Sequence, residues 1–160
     1  MPVSENEFRE ALSRFASGVS VVTTRDSSGR SHGITVSAFC SLSLDPPLVL
    51  ICIEKATASH YAFHESRSFI VNILDESQQD ISERFAAPAA DKFAATDFEP
   101  GGDGIPRLRT ALAVLECRVT DVCDGGDHTI FVGSVERAAA REGAPLVYFC
   151  SQYGTTMTGQ

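Results

Sequence analysis

The chain has 160 residues, 43% hydrophobic and 21% charged, with 21 acidic residues against 13 basic ones and a net charge of −8. That length suits one domain, spanning 1–160, with a core large enough to need no disulfide staples. The acidic balance argues against nucleic acid and anionic membranes as partners, and the longest apolar run, residues 48–53, is far too short to cross a membrane.

Residues 1–9 show neither the basic nor the apolar stretch of an export signal. The five cysteines, at 40, 52, 117, 123 and 150, are odd in number and form no Cys-x-x-Cys pair. They read as reduced, buried thiols, which places the protein in the cytoplasm.

Ser4-Glu5-Asn6-Glu7 is a capping box, and Phe8, Ala11, Leu12 and Phe15 follow at helical spacing. This predicts an amphipathic first helix packed on the core. Residues 19–25 are rich in β-branched side chains and end at the turn Asp26-Ser27-Ser28-Gly29, so residues 31–39 should return as a hairpin partner. Asp45-Pro46-Pro47 is a rigid turn before residues 48–53, expected as a strand buried on both faces.

A short helix is predicted over 58–66, a strand over 68–74 and a helix over 77–87 with Ile81 and Phe85 on one face. Residues 88–110, rich in Pro, Gly, Asp and Ala, suggest an irregular excursion with one helical turn near 91–95. Long strands over 113–123 and 128–141 flank a Gly125-Gly126 turn, a strand over 146–150 follows, and the polar tail should fray. The pattern predicts a mainly β protein, an antiparallel barrel with a few peripheral α-helices; an α/β sheet over 48–87 is the weaker alternative.

Several familiar sites are missing. There is no Gly-x-Gly-x-x-Gly, no Gly-Lys-Ser/Thr phosphate loop and no Gly-x-Ser-x-Gly. His60 and His64 stand at i, i+4, but Tyr61 and Phe63 favour helix packing over metal binding, and no metal site is expected. Alternation places Thr35 and Ser37 on one strand face and Val36 and Ala38 on the other, so paired hydroxyls can bind a phosphate or polyol; an ordinary solvent-facing strand fits equally well. Lys92, in the irregular segment, reads either as a point charge for a phosphate or as a solvated loop lysine. His128 opens a strand directly after a Gly-Gly-Asp turn and is the residue best placed for chemistry on a bound ring.

Seven segments, in this order and spacing, resemble the flavin reductase-like, FMN-binding split-barrel family. They are Phe15-Ala16-Ser17-Gly18-Val19, Gly33-Ile34-Thr35-Val36-Ser37-Ala38-Phe39, Ser43-Leu44-Asp45-Pro46-Pro47-Leu48, Phe69-Ile70-Val71-Asn72-Ile73-Leu74, Phe85-Ala86, Lys92-Phe93 and Gly126-Asp127-His128-Thr129-Ile130-Phe131-Val132-Gly133. The resemblance implies a Greek-key split β-barrel homodimer that transfers hydride from NADH or NADPH to FMN or FAD. It further implies that the reduced flavin goes to a separate flavin-dependent monooxygenase.

By the same resemblance, Thr35, Val36, Ser37 and Ala38 contact the flavin, with Cys52 and Ile53 beside its ring. Ser59, Phe85, Ala86 and Lys92 surround its phosphate, and His128 faces the nicotinamide as the catalytic residue. The chain departs from the family pattern at Ser151-Gln152-Tyr153-Gly154, where arginines are usual. A flavin carrier or redox sensor without turnover is the alternative function.

Overall fold

The computed structural model describes residues 3–89, 91–94 and 97–156. Its centre is a seven-stranded antiparallel sheet built from β2 (Ser20–Arg25), β3 (Ser31–Val36), β4 (Phe39–Leu44), β5 (Pro47–Glu54), β6 (Ser68–Ile73), β9 (Ala113–Gly125) and β10 (His128–Ala140). The order across it is β3-β2-β6-β9-β10-β5-β4. Strands β3 and β4 follow one another in the chain, yet they stand at opposite edges. Only two residues join them, so the sheet curls until its edges approach, and the result is a barrel left split along that seam. Every pairing is antiparallel, which removes the α/β alternative.

Alternation along the strands divides the apolar side chains between two cores. Inside the barrel, Val22, Val36, Ile51, Ile53, Phe69 and Phe131 pack around Phe63 of helix α2 (His60–Ser66). Outside it, Val21, Ile70, Leu74 and Val114 pack against Ile81 and Phe85 of helix α3 (Gln79–Ala86). A second small sheet joins β1 (Ser17–Gly18), β11 (Leu146–Phe149) and β12 (Gln152–Thr155). Tyr153 of β12 meets α3 through a 2.8 Å hydrogen bond between its hydroxyl and Ser82 Oγ.

The excursion after α3 is more regular than its composition suggests. β7 (Phe98–Pro100) and β8 (Pro106–Leu108) form a hairpin around a 3-10 turn at Gly102–Gly104. Asn72, fully buried, clamps it: its amide donates to Val21 O at 2.9 Å while its carbonyl accepts from Leu108 N at 2.8 Å. A buried amide with partners on both sides is far cheaper than one without. Of the turn expected near 91–95, Ala95 lies outside the described residues; Asp91 accepts from Phe93 N and Ala94 N at 3.2 Å each.

Five further expectations need correction. Helix α1 (Glu5–Ser13) has the capping box, but Phe8, Leu12 and Phe15 are exposed, Phe15 at 80%, so its apolar stripe does not pack on this chain's core. β4 was missed because its Cys-Ser-Leu-Ser run lacks a buried face. β5 buries Val49, Ile51 and Ile53 on one face only; Leu48, Leu50 and Cys52 are half-covered. The tail from Gln152 to Thr155 does not fray but pairs with β11. Among the five free cysteines only Cys117 is buried.

Candidate functional site

Near the start of β3 a cavity of about 780 Å³ opens between β3, the start of α2 and the segment after α3. Gly33 lets α3 close on the strand: a Cβ there would sit 2.6 Å from Phe85 Cε1. Lys92, half-buried in the cavity wall, donates to Phe85 O at 3.1 Å and reaches Gly33 O at 3.5 Å. Burial holds its ammonium below the ordinary lysine value. Ser59, the residue before α2, makes no capping bond to the helix and lines the same cavity.

The opposite wall is a group that sequence reasoning missed. Asp26, read only as a turn residue, accepts from Ser28 Oγ at 2.6 Å, Ser28 N and Arg30 N at 3.0 Å, and Tyr61 Oη at 2.9 Å. His32 Nε2 lies 2.9 Å from its other bonds' shared carboxylate, at Oδ2. These bonds, that from Ser28 foremost and then that from His32, hold the Asp26 carboxyl well below the usual carboxylate range. The hairpin sets residues 26 and 32 diagonally across its two strands, since Thr24 pairs with His32 and Asp26 N donates to Arg30 O. The only signal in the sequence was a histidine following a tight Asp-Ser-Ser-Gly turn.

A second surface runs along the outer face of β5 and β10. β3 ends at Val36, so Ser37 and Ala38 form an exposed link rather than strand positions. Ala38 O accepts from Cys52 N at 3.0 Å, which docks this link on β5. In the register, Ile130 faces Cys52 and His128 faces Glu54. Paired residues share a face, so His128 and Cys52 lie on the same outer side, two positions apart and about 7 Å along the strand.

His128 Nδ1 is 2.7 Å from Asp127 Oδ1, a contact that lowers the Asp127 pKa. Asp127 belongs to the turn, not to β10. Gly126, at φ +75°, makes that turn possible and directs the carboxylate back to the ring. Lys55 Nζ binds Asp124 and Gly126 O across the same hairpin tip.

The expected site residues therefore fall into three sets. Ser59 and Lys92 meet at the cavity; Ser37, Ala38, Cys52 and His128 share the outer surface. The remaining side chains are committed elsewhere. Ile53 and Phe85 are core residues, 1% and 0% exposed, so they offer a ligand only backbone atoms. Val36 is buried in the barrel, and Thr35 Oγ1 donates to Ser82 O at 2.6 Å, tying β3 to α3. Ala86, at the end of α3, is exposed.

His60 and His64 stack edge-to-face at 4.8 Å, and His60 Nε2 is 2.8 Å from Thr129 Oγ1. Burial, then His64 and Lys55, push the His60 pKa down. Among the described residues no group of three or more His, Cys, Asp and Glu side chains is placed to hold a metal ion. Likewise, among the described residues no helix is long and apolar enough to cross a membrane.

Chemically, the cavity offers an ammonium, an imidazole and a hydroxyl, the donors a phosphate needs. The outer surface offers main chain and one imidazole but no activated nucleophile; burial, with the Cys40 thiol beside it, pushes the Cys52 thiol pKa up. Such a site positions cofactors that carry their own reactivity.

Known proteins share this arrangement of strands and sequence. The reductase component of a 4-nitrophenol 4-monooxygenase/4-nitrocatechol 2-monooxygenase from Rhodococcus opacus is 43% identical over 153 residues, 96% of this chain and 82% of that protein. An NADH:riboflavin 5'-phosphate oxidoreductase from Streptomyces pristinaespiralis is 38% identical over 96% of this chain and 89% of its own length. Two relatives from Rhizobium meliloti are longer, and the chain spans 41% and 55% of them. Among solved structures, the NADH:FAD oxidoreductase of Streptomyces globisporus, in complex with NAD and FAD fragments, superposes with a TM-score of 0.90. It is 33% identical, with 98% of this chain and 95% of that one covered. The family profile described as "Flavin reductase like domain" matches residues 12–157. The antiparallel split barrel and the sequence together make this chain a member of the flavin reductase-like family.

Proposed function

We propose that the chain is an NADH-dependent flavin reductase that passes hydride to FMN or FAD and supplies the reduced flavin to a separate monooxygenase. The observation that carries this reading is a cavity suited to phosphate joined, through β3, to an open sheet surface that ends at His128. From Gly33 to Ser37 the chain covers about 13 Å. That separation suits a ligand with a phosphate at one end and a flat ring at the other. The relatives agree with this reading: one is a reductase component of a monooxygenase, another an NADH:riboflavin 5'-phosphate oxidoreductase.

On this reading, Lys92 and Ser59 hold the phosphate. The main chain of Ser37 and Ala38, fixed by the Cys52 amide, aligns the ring edge. Val36, Ile53, Phe85 and Ala86 contribute backbone and packing, and Thr35 braces the platform through α3. His128, steered by Asp127, orients the nicotinamide. Bound flavin supplies the hydride acceptor, and holding the two rings at reacting distance is the protein's share of the rate.

We also read the chain as one domain and as half of a homodimer. Strands β2 and β6 contribute side chains to both cores, so neither core is separable. The uncovered stripe of α1, with Phe15 80% and Leu44 92% exposed, gives a second copy an apolar surface to cover. Five free thiols suit the reducing cytoplasm.

A steady-state assay crossing NADH and NADPH with FMN and FAD tests the activity. NADH oxidation that depends on added flavin is the expected result; no turnover with any of the four pairs overturns the proposal. Sedimentation should return twice the 17.2 kDa chain mass.

A further inference from the structure

Asp26, His32 and Tyr61 have no task in the function proposed above, yet His32 and Tyr61 line the cavity and Asp26 bonds to both from behind. His32 is 9% exposed. Its Nε2 faces Asp26 Oδ2 at 2.9 Å, and a carboxylate only accepts, so that nitrogen carries a proton. Tyr61 Oη donates to the same oxygen at 2.9 Å and stands 3.2 Å from Nε2. The ring is thus fixed in orientation and tautomer. Its other nitrogen, Nδ1, points toward Ser59, whose Oγ is 3.4 Å away, too long for a strong hydrogen bond.

A purely structural role does not account for the ring. The Tyr61–Asp26 bond already pins the β2–β3 hairpin to α2 without it. Arg30 and Lys92, both cationic, and Asp91 line the same cavity as the ring. Glu65, the one acid of α2, is turned to Ser27 N at 2.9 Å.

We propose that His32, oriented by Asp26 and Tyr61, recognises the phosphate of the flavin nucleotide through Nδ1, beside Ser59 and Lys92. This rests on the flavin-binding reading. In that arrangement the ring donates both N–H groups, one to Asp26 and one to the phosphate oxygen. The carboxylate behind it then stabilises the cation, as carboxylates do for histidines in other relays.

The test compares FMN with riboflavin, which lacks the phosphate, by flavin fluorescence titration of the full chain, His32→Gln and Tyr61→Phe, with the KM for NADH measured alongside. His32→Gln should weaken FMN about tenfold and riboflavin by about twofold at most. Tyr61→Phe, at a surface-accessible side chain, should weaken FMN alone by about threefold, and serves if the histidine variant does not fold. Equal losses for both flavins would mark a merely structural role and overturn the proposal, as would no loss for either. A shift confined to the KM for NADH would assign the phosphate to the nicotinamide nucleotide and overturn it too. A wild-type chain that binds neither flavin would instead remove the flavin reading, and this inference with it.

Discussion

The two ends of the candidate site are built differently. At the cavity end His32 is 9% exposed, Asp26 has five hydrogen-bond donors around it, and Lys92 is half-buried against Phe85 O. At the hairpin tip the side chains of His128, Asp127, Lys55 and Asp124 are 40%, 86%, 42% and 79% exposed, and each is held by one or two contacts. Buried polar networks are costly to rearrange, whereas exposed ion pairs contribute little and reorganise freely. One end is therefore preformed and the other adaptable. That asymmetry suits an enzyme that must hold one nucleotide in register while a second arrives and departs.

The largest test of this contrast is Phe85→Ala, which empties the core directly behind the cavity. It should destabilise the fold by about 3–5 kcal/mol in chemical denaturation. Gly33→Ala comes next, because its Cβ would meet the Phe85 ring at 2.6 Å. A loss of about 1–3 kcal/mol and weakened FMN binding are expected; an unchanged melting temperature would show the cavity wall to be soft. His128→Ala should leave stability and flavin binding intact while slowing flavin-dependent NADH oxidation about tenfold, roughly 1.4 kcal/mol in the barrier. Unchanged turnover would remove His128 from the mechanism.

Acid tests the cavity end through Asp26. Because the Asp26 pKa is depressed in the folded state, its contribution is present above the ordinary carboxylate range and is lost as pH falls through about 4 and below. The wild-type melting temperature should fall more steeply there than that of Asp26→Asn; parallel curves would mean that the network carries no linked stability. Smallest of all, Lys55→Met at the hairpin tip should cost about 0–1 kcal/mol despite its bonds to Asp124 and Gly126 O. A loss as large as that of Phe85→Ala would erase the distinction between the two ends.

Much of the barrel was legible because strand periodicity and turn residues are local signals. The Asp26–Gly29 turn, the Gly126 hairpin and strands β2 and β6 all appear where the chain pattern puts them. β4 and the β7–β8 hairpin were not legible. β4 carries alternating small polar residues that bury nothing, and β7–β8 is held by Asn72, which lies far away in sequence. Helix α1 was legible as a helix but not as an unpacked one: periodicity reports an apolar stripe, not what covers it.

The site divides in the same way. Lys92, Ser59 and His128 drew notice through residue type and family order, and the fold places the first two at one cavity and His128 on the face of Cys52. Phe85 and Ile53 turned into the core because a strand or helix position has only one inward face, which depends on what packs there. Asp26 and His32 became partners only when the hairpin closed and α2 delivered Tyr61.

Local pattern and family order thus set the class of fold, the family, and the residue types available for phosphate and ring. Tertiary structure alone decided which of them face a ligand, since burial and pairing are set by contacts between segments that the chain keeps far apart. Thr35 shows the rule: strand alternation offered its hydroxyl to a ligand, and α3, arriving from 47 residues away, took it with Ser82 O.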